Sequence, residues 1–245
     1  MTKAAIDLNG DLGEGAAHDA ELLKLVSSAN VCCGLHAGSD ELMAATVRLA
    51  IRHGVAVGAH PGHADRDHFG RRELAITPAD CVALVARQID AVAAVAGAAL
   101  HHVKLHGGLY HQADREPALA AALADWLADR WPQLMVYAPE ESCLTLAARG
   151  RGLAVAAEAF IDRRYRADGA LAARSQPQAS IDDPAEAATQ AVRLATGDLV
   201  RTLDGADIRV AADTLCVHGD GPRAVEIATA ARRAVLAAGI AIRPA

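Results

Sequence analysis

Seven short apolar runs recur along this 245-residue chain, and each is followed by a polar or ionisable cluster. Helical patterns lie between the runs, and this alternation of strand and helix signals is typical of βα units around a parallel sheet. We therefore predict an α/β fold, a single-domain (β/α) barrel of seven parallel strands. The strands are expected near residues 4–8, 29–33, 55–59, 101–105, 134–138, 153–158 and 214–218.

Capping residues and glycines mark the expected helices. Thr77-Pro78 has the pattern of an N-cap followed by a first-turn proline, and Gly97 ends the same helix. Asp183-Pro184 opens another helix in the same way. The helices are expected at residues 40–53, 78–96, 114–130, 184–196 and 221–238.

Two segments interrupt this rhythm. Residues 159–183 are too long for an ordinary connection between a strand and a helix, and loops of this size are usually functional or disordered. Their position after Glu158 predicts a lid over the site. Residues 199–211 contain two strand-like arms around Asp204-Gly205, which is the signal of a tight hairpin.

The composition excludes some classes of function. The net charge is −6 and the pI is near 6.0, whereas non-specific nucleic-acid binding needs clustered Lys and Arg. The five cysteines form no CxxC motif, which favours a reducing compartment without disulfides. The N-terminus has no signal-peptide core, and no uninterrupted apolar stretch approaches the roughly 18 residues of a membrane span. We therefore predict a cytoplasmic protein that binds neither nucleic acid nor membrane.

The polar clusters define the expected site, because the loops after the strands of a parallel barrel meet at one face and active sites are built there. The residues expected to be catalytic are Asp11, His60, Lys104, His106, Glu158, His218 and Asp220. The residues expected to bind substrate or another anion are Asp7, Asn9, His36, Lys104, Asp162 and Arg163.

The first strand carries three of these residues. Asp7, Asn9 and Asp11 alternate along an extended segment, so their side chains are expected to share a face. Asp11 with His36 and His60 would form an Asp-His-His set suited to a divalent metal with open positions. The alternative is that the two histidines are hydrogen-bonded and bind a carboxylate, so the presence of a metal stays open.

Lys104 and His106 alternate on another strand and share a face for the same reason. A lysine buried in a barrel mouth needs an anion, and the expected partner is a substrate carboxylate or a phosphoryl group. Glu158, and His218 close to Asp220, are suited to moving protons near neutral pH. The alternative for these groups is a set of internal salt bridges that hold the lid.

Seven motifs in series resemble one known family. They are DLNGDLGEG, SANVCCGLHAG, GVAVGAHPG, FGRR, HVKLHGGLY, EAFIDRRYRADGALAAR and ADTLCVHGDGP. In this order and spacing they resemble the LamB/YcsF family, from Ile6 to about Ile240. Two departures are Leu105, where the family usually has proline, and Ser39, where it usually has an acid.

The resemblance implies a barrel similar to that of certain polysaccharide deacetylases, and the A component of an ATP-dependent 5-oxoprolinase. Such a hydrolase opens the cyclic amide C–N bond of 5-oxo-L-proline to L-glutamate, together with subunits B and C. ATP, with Mg²⁺, is implied as co-substrate. Because the chain has no GxxxxGK[ST] motif, ATP is expected at a boundary between subunits or on a partner chain, although GDLGEG and GDGP offer backbone N–H groups to a phosphate.

Two other functions stay open at this stage. One is a stand-alone, metal-dependent, deacetylase-like hydrolase. The other is a non-catalytic component that presents substrate to partner chains. A barrel fold by itself does not choose between these functions.

Overall fold

The computed structural model describes residues 3–245 and has a closed parallel barrel at its centre. Seven strands form the barrel in the order β1-β2-β3-β4-β5-β6-β9, and β9 pairs with β1 to close it. This confirms the predicted (β/α) barrel of seven parallel strands. The strands are β1 Ala5–Leu12, β2 Ser28–Cys32, β3 Ala56–His60, β4 Leu100–Lys104, β5 Met135–Ala138, β6 Val155–Phe160, β7 Leu199–Arg201, β8 Asp207–Arg209, β9 Thr214–His218 and β10 Ala241–Ile242.

The three remaining strands lie outside the barrel. The short strand β10 adds to the edge of β1 through Ala5 and Ile6. The strands β7 and β8 form an antiparallel hairpin at the place where the sequence signal predicts one.

The apolar core lies between the barrel and the surrounding helices, whereas the interior of the barrel is polar. In β1, Ile6 and Leu8 belong to the apolar core. The alternate residues Asn9 and Asp11 make hydrogen bonds to side chains of other barrel strands. This follows from the two-residue period of a strand, which sends successive side chains to opposite faces.

The helices pack around the barrel, and several of them begin at side-chain caps. Thr77 accepts a hydrogen bond from the backbone N–H of Asp80 at 3.1 Å. Ser39 caps its helix through the N–H of Leu42 at 3.2 Å. The helices are α1 Asp19–Leu22, α2 Asp40–His53, α3 Pro78–Ala96, α4 Gly107–Arg115, α5 Pro117–Arg130, α6 Cys143–Gly150, α7 Pro184–Thr196 and α8 Ala224–Ala237.

The helices differ from the predictions in several places. The helix expected at 114–130 is α5, which begins at Pro117, and α4 is a separate, unexpected helix before it; the two meet at Glu116. Glu116 has an extended backbone because the proline after it disfavours the helical conformation. The helix expected from residue 221 begins at Ala224, and α6, which is absent from the expected helices, begins at the Ser142 cap.

One helix is long and apolar enough to cross a membrane when length and composition alone are considered. It spans Pro78–Ala99 and includes α3. The core helix of a soluble protein passes the same test. In this helix Cys81, Val85 and Ile89 are fully buried against the rest of the protein, so this face belongs to the core.

Within residues 159–183, the first two end β6 and the others connect it to α7 without helical structure. Isolated antiparallel bridges join Arg163 to Ser180 and Tyr165 to Leu171, so the segment folds back on itself. Tyr165 and Ile181 are buried in the apolar core, which holds the base of the segment against the barrel.

Candidate active site inside the barrel mouth

A buried lysine lies at the centre of the polar interior. The Nζ atom of Lys104 donates to Asp11 Oδ1 at 2.9 Å and to Cys216 Sγ at 3.0 Å. It also forms an ion pair with Glu158 Oε1 at 2.8 Å. The side chains of Lys104, Asp11 and Glu158 are 3 %, 4 % and 0 % exposed. The anion that a buried lysine requires is therefore supplied by two carboxylates of the protein itself.

The charges of this cluster stabilise one another. Burial opposes the charge on Lys104, but Asp11 and the other nearby negative groups hold its pKa well above its usual range. Burial likewise opposes ionisation of Asp11, yet His60 and Lys104 hold the pKa of that carboxyl well below its usual range. The cluster therefore contains a protonated ammonium and an ionised carboxylate at neutral pH.

A second set of side chains orients the cluster. Asn30 donates from Nδ2 to Asn9 Oδ1 at 2.7 Å and to Asp11 Oδ1 at 2.8 Å. Its own Oδ1 atom lies 2.9 Å from His102 Nε2, which must therefore carry a proton. Tyr110 donates to Glu158 Oε2 at 2.9 Å. Both carboxylates are thus fixed by neutral donors as well as by Lys104.

Glycine at position 58 is required for this arrangement. A Cβ atom there would lie 2.1 Å from Nε2 of His102, so only glycine leaves room for the imidazole that holds Asn30. The space inside the barrel is therefore filled by specific polar contacts rather than by apolar packing.

Three histidines and a glutamate form a second cluster next to the first. Glu14 Oε1 lies 3.4 Å from His36 Nε2, 3.5 Å from His106 Nδ1 and 4.0 Å from His60 Nε2. Burial and the nearby Asp11 carboxylate raise the pKa of Glu14 to about 7. Burial, reinforced by His60, lowers the pKa of His36 to about 3. His60 joins the two clusters, because its Nε2 atom is 3.4 Å from Asp11 Oδ2.

A third group lies closer to solvent at the end of β9. His218 donates through Nδ1 to Asp162 at 2.9 Å, and its backbone N–H donates to the same carboxylate at 2.8 Å. Burial opposes ionisation of Asp162, but His218 lowers its pKa overall. Asp220 pairs with Arg71. The side chains of His218 and Asp220 are 16 % and 27 % exposed, so this group faces the mouth.

The structure brings most of the expected site residues together, but in layers. Asp11, Lys104 and Glu158 are deepest, and His36, His60 and His106 lie beside them. Asn9 contacts Lys104 at 3.3 Å and so belongs to the deep layer. His218, Asp162 and Asp220 form the outer layer.

Two expected anion-binding residues make their hydrogen bonds outside these layers. Asp7 accepts hydrogen bonds from Ser27, Ser28 and Thr214, in the half of the barrel away from the mouth. Arg163 is 5 % exposed and donates to Ala172 O at 2.6 Å within the 159–183 segment.

The expected metal set differs from the group that the structure assembles. His36 and His60 lie with Glu14 and His106, while Asp11 is held by Lys104 and Asn30. Glu14 follows the first strand by two residues. Its place in the polar cluster at the end of that strand could have identified it as a site residue from the sequence. Tyr110 and Cys216 could not be identified in this way. In the sequence, Tyr110 has the pattern of an aromatic residue on a helix, and Cys216 that of a small apolar residue in a strand.

The fold and the buried ionised cluster define a (β/α)-barrel protein with a polar, enzyme-like interior. The LamB/YcsF family model matches residues 6–245, and the chain belongs to this family.

Curated relatives match over the whole length. The A component of 5-oxoprolinase from Heliobacterium modesticaldum is 47 % identical over 246 residues, which cover 97 % of each chain. The A component of 5-oxoprolinase from Bordetella pertussis is 46 % identical over 249 residues, which cover 98 % of this chain and 99 % of that protein.

Solved structures share the fold. The lactam utilization protein from Thermus thermophilus has a TM-score of 0.89 at 44 % identity, and the match covers 98 % of this chain and 99 % of that one. A family 4 carbohydrate esterase from Streptomyces lividans has a TM-score of 0.50 at 11 % identity, covering 99 % of this chain and 93 % of that one. The second similarity concerns the barrel fold alone.

Proposed function

We propose that this chain is the A component of an ATP-dependent 5-oxoprolinase, a hydrolase that opens the lactam of 5-oxo-L-proline to L-glutamate. The observation that carries the proposal is the similarity of 46–47 % identity, over nearly the full length of both chains, to proteins named as the A component of 5-oxoprolinase. Subunits B and C are its proposed partners. ATP with Mg²⁺ is the proposed co-substrate, and its binding is assigned to a partner chain because this sequence has no P-loop motif.

The proposed reaction breaks an amide C–N bond that resonance protects. Transfer of the γ-phosphoryl group of ATP to the lactam oxygen gives ADP and removes this resonance. Water then adds to the same carbon, the ring nitrogen takes a proton as the C–N bond breaks, and an acyl phosphate forms. A second water hydrolyses the acyl phosphate to L-glutamate and phosphate. The barrel must therefore place a proton donor and a base around one carbonyl.

Lys104 and His218 are the proposed catalytic groups. Lys104 is a protonated donor fixed between Asp11 and Glu158, and its raised pKa suits it to stabilise negative charge rather than to give up a proton. His218 has its Nδ1–H committed to Asp162, as in a histidine oriented by a carboxylate, which leaves Nε2 to accept a proton from water.

Arg163 is the proposed partner of the substrate carboxylate. Its Nε atom is buried and has no hydrogen-bond acceptor among the described residues. Burial and the nearby positive charge of Arg174 lower the pKa of Arg163 to about 10, which an added anion would reverse. A guanidinium of this kind is suited to a bidentate contact with a carboxylate.

Residues 159–183 are proposed to act as a lid on a packed base. The buried Tyr165 and Ile181 anchor the base, whereas residues 166–170 are exposed. Movement on substrate binding is therefore assigned to the exposed tip. A single domain is proposed for the whole chain, and a cytoplasmic location is inferred from its five free cysteines.

Reconstitution tests the proposed function. The purified chain is assayed alone and with subunits B and C, and the glutamate formed per ATP hydrolysed is measured. We expect glutamate only from the assembled complex. Robust ATP-dependent glutamate formation by the chain alone would contradict the assignment of ATP to a partner. Hydrolysis of an acetylated sugar without ATP would instead favour the deacetylase-like alternative, and full activity of subunits B and C without this chain would contradict its role in the reaction.

A further inference from the structure

Glu14 carries a buried carboxylate oxygen that no donor satisfies. Its side chain is 5 % exposed, and Oε1 has no hydrogen-bond partner among the described residues. Buried polar atoms in native proteins almost always have a partner. The atoms nearest to this oxygen include ring nitrogens of His36, His60 and His106.

Two of these imidazoles present lone pairs to the same point. His60 donates its Nδ1–H to the backbone oxygen of Lys104 at 2.8 Å, which leaves Nε2 as an acceptor. His106 donates its Nε2–H to the backbone oxygen of Phe69 at 2.8 Å, which leaves Nδ1 as an acceptor. These two nitrogens are 3.0 Å apart, a contact that requires either a proton on one of them or a cation bound by both.

Backbone carbonyls that fix a histidine in this way are the usual supports of metal-binding histidines, since they set the tautomer and aim the other nitrogen at the ion. His36 lies beside the group and supports it. Its ring stacks on that of His106 with centroids 3.8 Å apart and planes at 1°, so the in-plane lone pairs of these two rings do not meet at one point. The Nε2 atom of His36 lies 3.1 Å from Cys32 Sγ and 3.4 Å from Glu14 Oε1.

The distances among the three donor atoms of Glu14, His60 and His106 bracket those of a small coordination shell. Ligands about 2.0–2.1 Å from a tetrahedral zinc ion are separated from one another by about 3.4 Å. The three separations are 3.0 Å for His60 to His106, 3.5 Å for Glu14 to His106 and 4.0 Å for Glu14 to His60.

The surrounding backbone is shaped to this group of rings. A Cβ atom at Gly62 would lie 2.8 Å from His36 Nδ1, and one at Gly70 would lie 2.7 Å from His36 Cβ. A second group has residue types that can bind a metal, namely Asp11, Cys216 and His218. A cation is already present there, because the Lys104 ammonium lies against Asp11 and Cys216.

We propose that Glu14, His60 and His106 bind one divalent transition-metal ion, with two imidazole nitrogens and one carboxylate oxygen as ligands and a fourth position open to water. This donor set suits Zn²⁺ and its first-row neighbours rather than Mg²⁺ or Ca²⁺, which prefer oxygen. A divalent ion there would act as a Lewis acid toward a carbonyl oxygen entering the barrel. The site does not depend on the identity of the substrate, so it can be tested without an activity assay.

Metal binding by the purified full chain is the direct test. The tag-free protein is incubated with chelator, dialysed, and titrated with Zn²⁺ in competition with a chromophoric chelator, and its metal content is measured by plasma mass spectrometry. We expect one Zn²⁺ per chain. Co²⁺ should give the visible absorption bands of a four-coordinate site, and Zn²⁺ should raise the melting temperature.

Variants distinguish this site from adventitious binding. Glu14→Gln and His106→Gln should each weaken Zn²⁺ affinity by at least about 100-fold, since even supporting residues around a metal are worth about 10–100-fold. His63→Gln is the matched control, because His63 is also a buried histidine but bonds Gln112 at 2.6 Å outside the cluster. It should bind Zn²⁺ as the wild type does.

Three results would overturn the proposal. They are the absence of stoichiometric Zn²⁺, equal affinity in the wild type and both ligand variants, and loss of binding in His63→Gln to the same extent. Circular dichroism of the metal-free variants checks that they are folded. If His106→Gln is not folded, Glu14→Gln alone provides the test of the ligands. None of these readouts changes if the proposed lactam substrate is wrong.

Discussion

Replacing Lys104 by methionine should strongly destabilise the protein, although the two side chains are similar in length. The ammonium lies 2.9 Å from Asp11 Oδ1 and 2.8 Å from Glu158 Oε1, and all three side chains are at most 4 % exposed. Methionine leaves two buried carboxylates without a counter-charge. Breaking a buried ion pair by removing one partner costs about 3–5 kcal/mol in free energy of unfolding.

Urea denaturation followed by circular dichroism measures this loss. With a urea dependence of about 3 kcal/mol per molar for a chain of this size, the midpoint of Lys104→Met should fall by about 1–2 M. Arg115→Met is the matched control, because Arg115 pairs with Glu73 at the surface, where the two side chains are 60 % and 45 % exposed. Its free energy of unfolding should change by about 0–1 kcal/mol.

A triple variant separates charge from packing. Lys104→Met combined with Asp11→Asn and Glu158→Gln removes all three charges, and the new amide oxygens still accept the hydrogen bonds now made by Asn30 and Tyr110. We expect it to recover most of the lost stability, since neutral replacement of a buried ionic group is often close to neutral. A loss below about 1 kcal/mol in Lys104→Met, or no recovery in the triple variant, would refute this reasoning.

Three further predictions concern other parts of the molecule. Hydrogen bonds from Arg72 lower the pKa of Asp65 to about 2, below the ordinary 3.8, so the contribution of Asp65 to stability is present above pH 3.8 and is lost as the pH falls towards 2. The urea midpoints of Asp65→Asn at pH 5 and pH 2.5 should therefore differ less than those of the wild type, and an unchanged difference would contradict the pairing. Gly58→Ala should lower the free energy of unfolding by about 1–3 kcal/mol or more, because the new Cβ meets the His102 ring at 2.1 Å, and a melting temperature equal to that of the wild type would rule out this packing. His218→Asn should lower the glutamate-forming rate of the reconstituted complex by about 10²–10⁴-fold with an unchanged melting temperature, and a rate within threefold of the wild type would remove His218 from the proton-handling role.

The strands could be predicted from the sequence because each is an apolar run bounded by glycine or polar residues. The observed β2, β3 and β9 begin within one residue of the expected positions. Helix boundaries were harder to predict. The break between α4 and α5 depends on Glu116 before a proline, a signal that was present but was outweighed by the helical pattern on both sides.

The site was predicted at the level of residue types and location, but its pairings were not. The sequence indicated that Lys104 needs an anion, and the external anion expected there is replaced by Asp11 and Glu158. Those contacts depend on how three strands are staggered around the barrel, which no local pattern records. The same reason applies to Glu14, whose side chain returns from the loop after β1 to three imidazoles.

Glutamate formation by a reconstituted complex that contains the triple variant Lys104→Met, Asp11→Asn and Glu158→Gln tests the central claim most directly. The claim is that the buried charged cluster of this barrel carries out the opening of the 5-oxoproline ring. Because the triple variant is expected to fold, its activity reports on chemistry rather than on stability. We predict assembly with subunits B and C but no measurable glutamate above the level formed without this chain. Glutamate formation at the wild-type rate would contradict the claim.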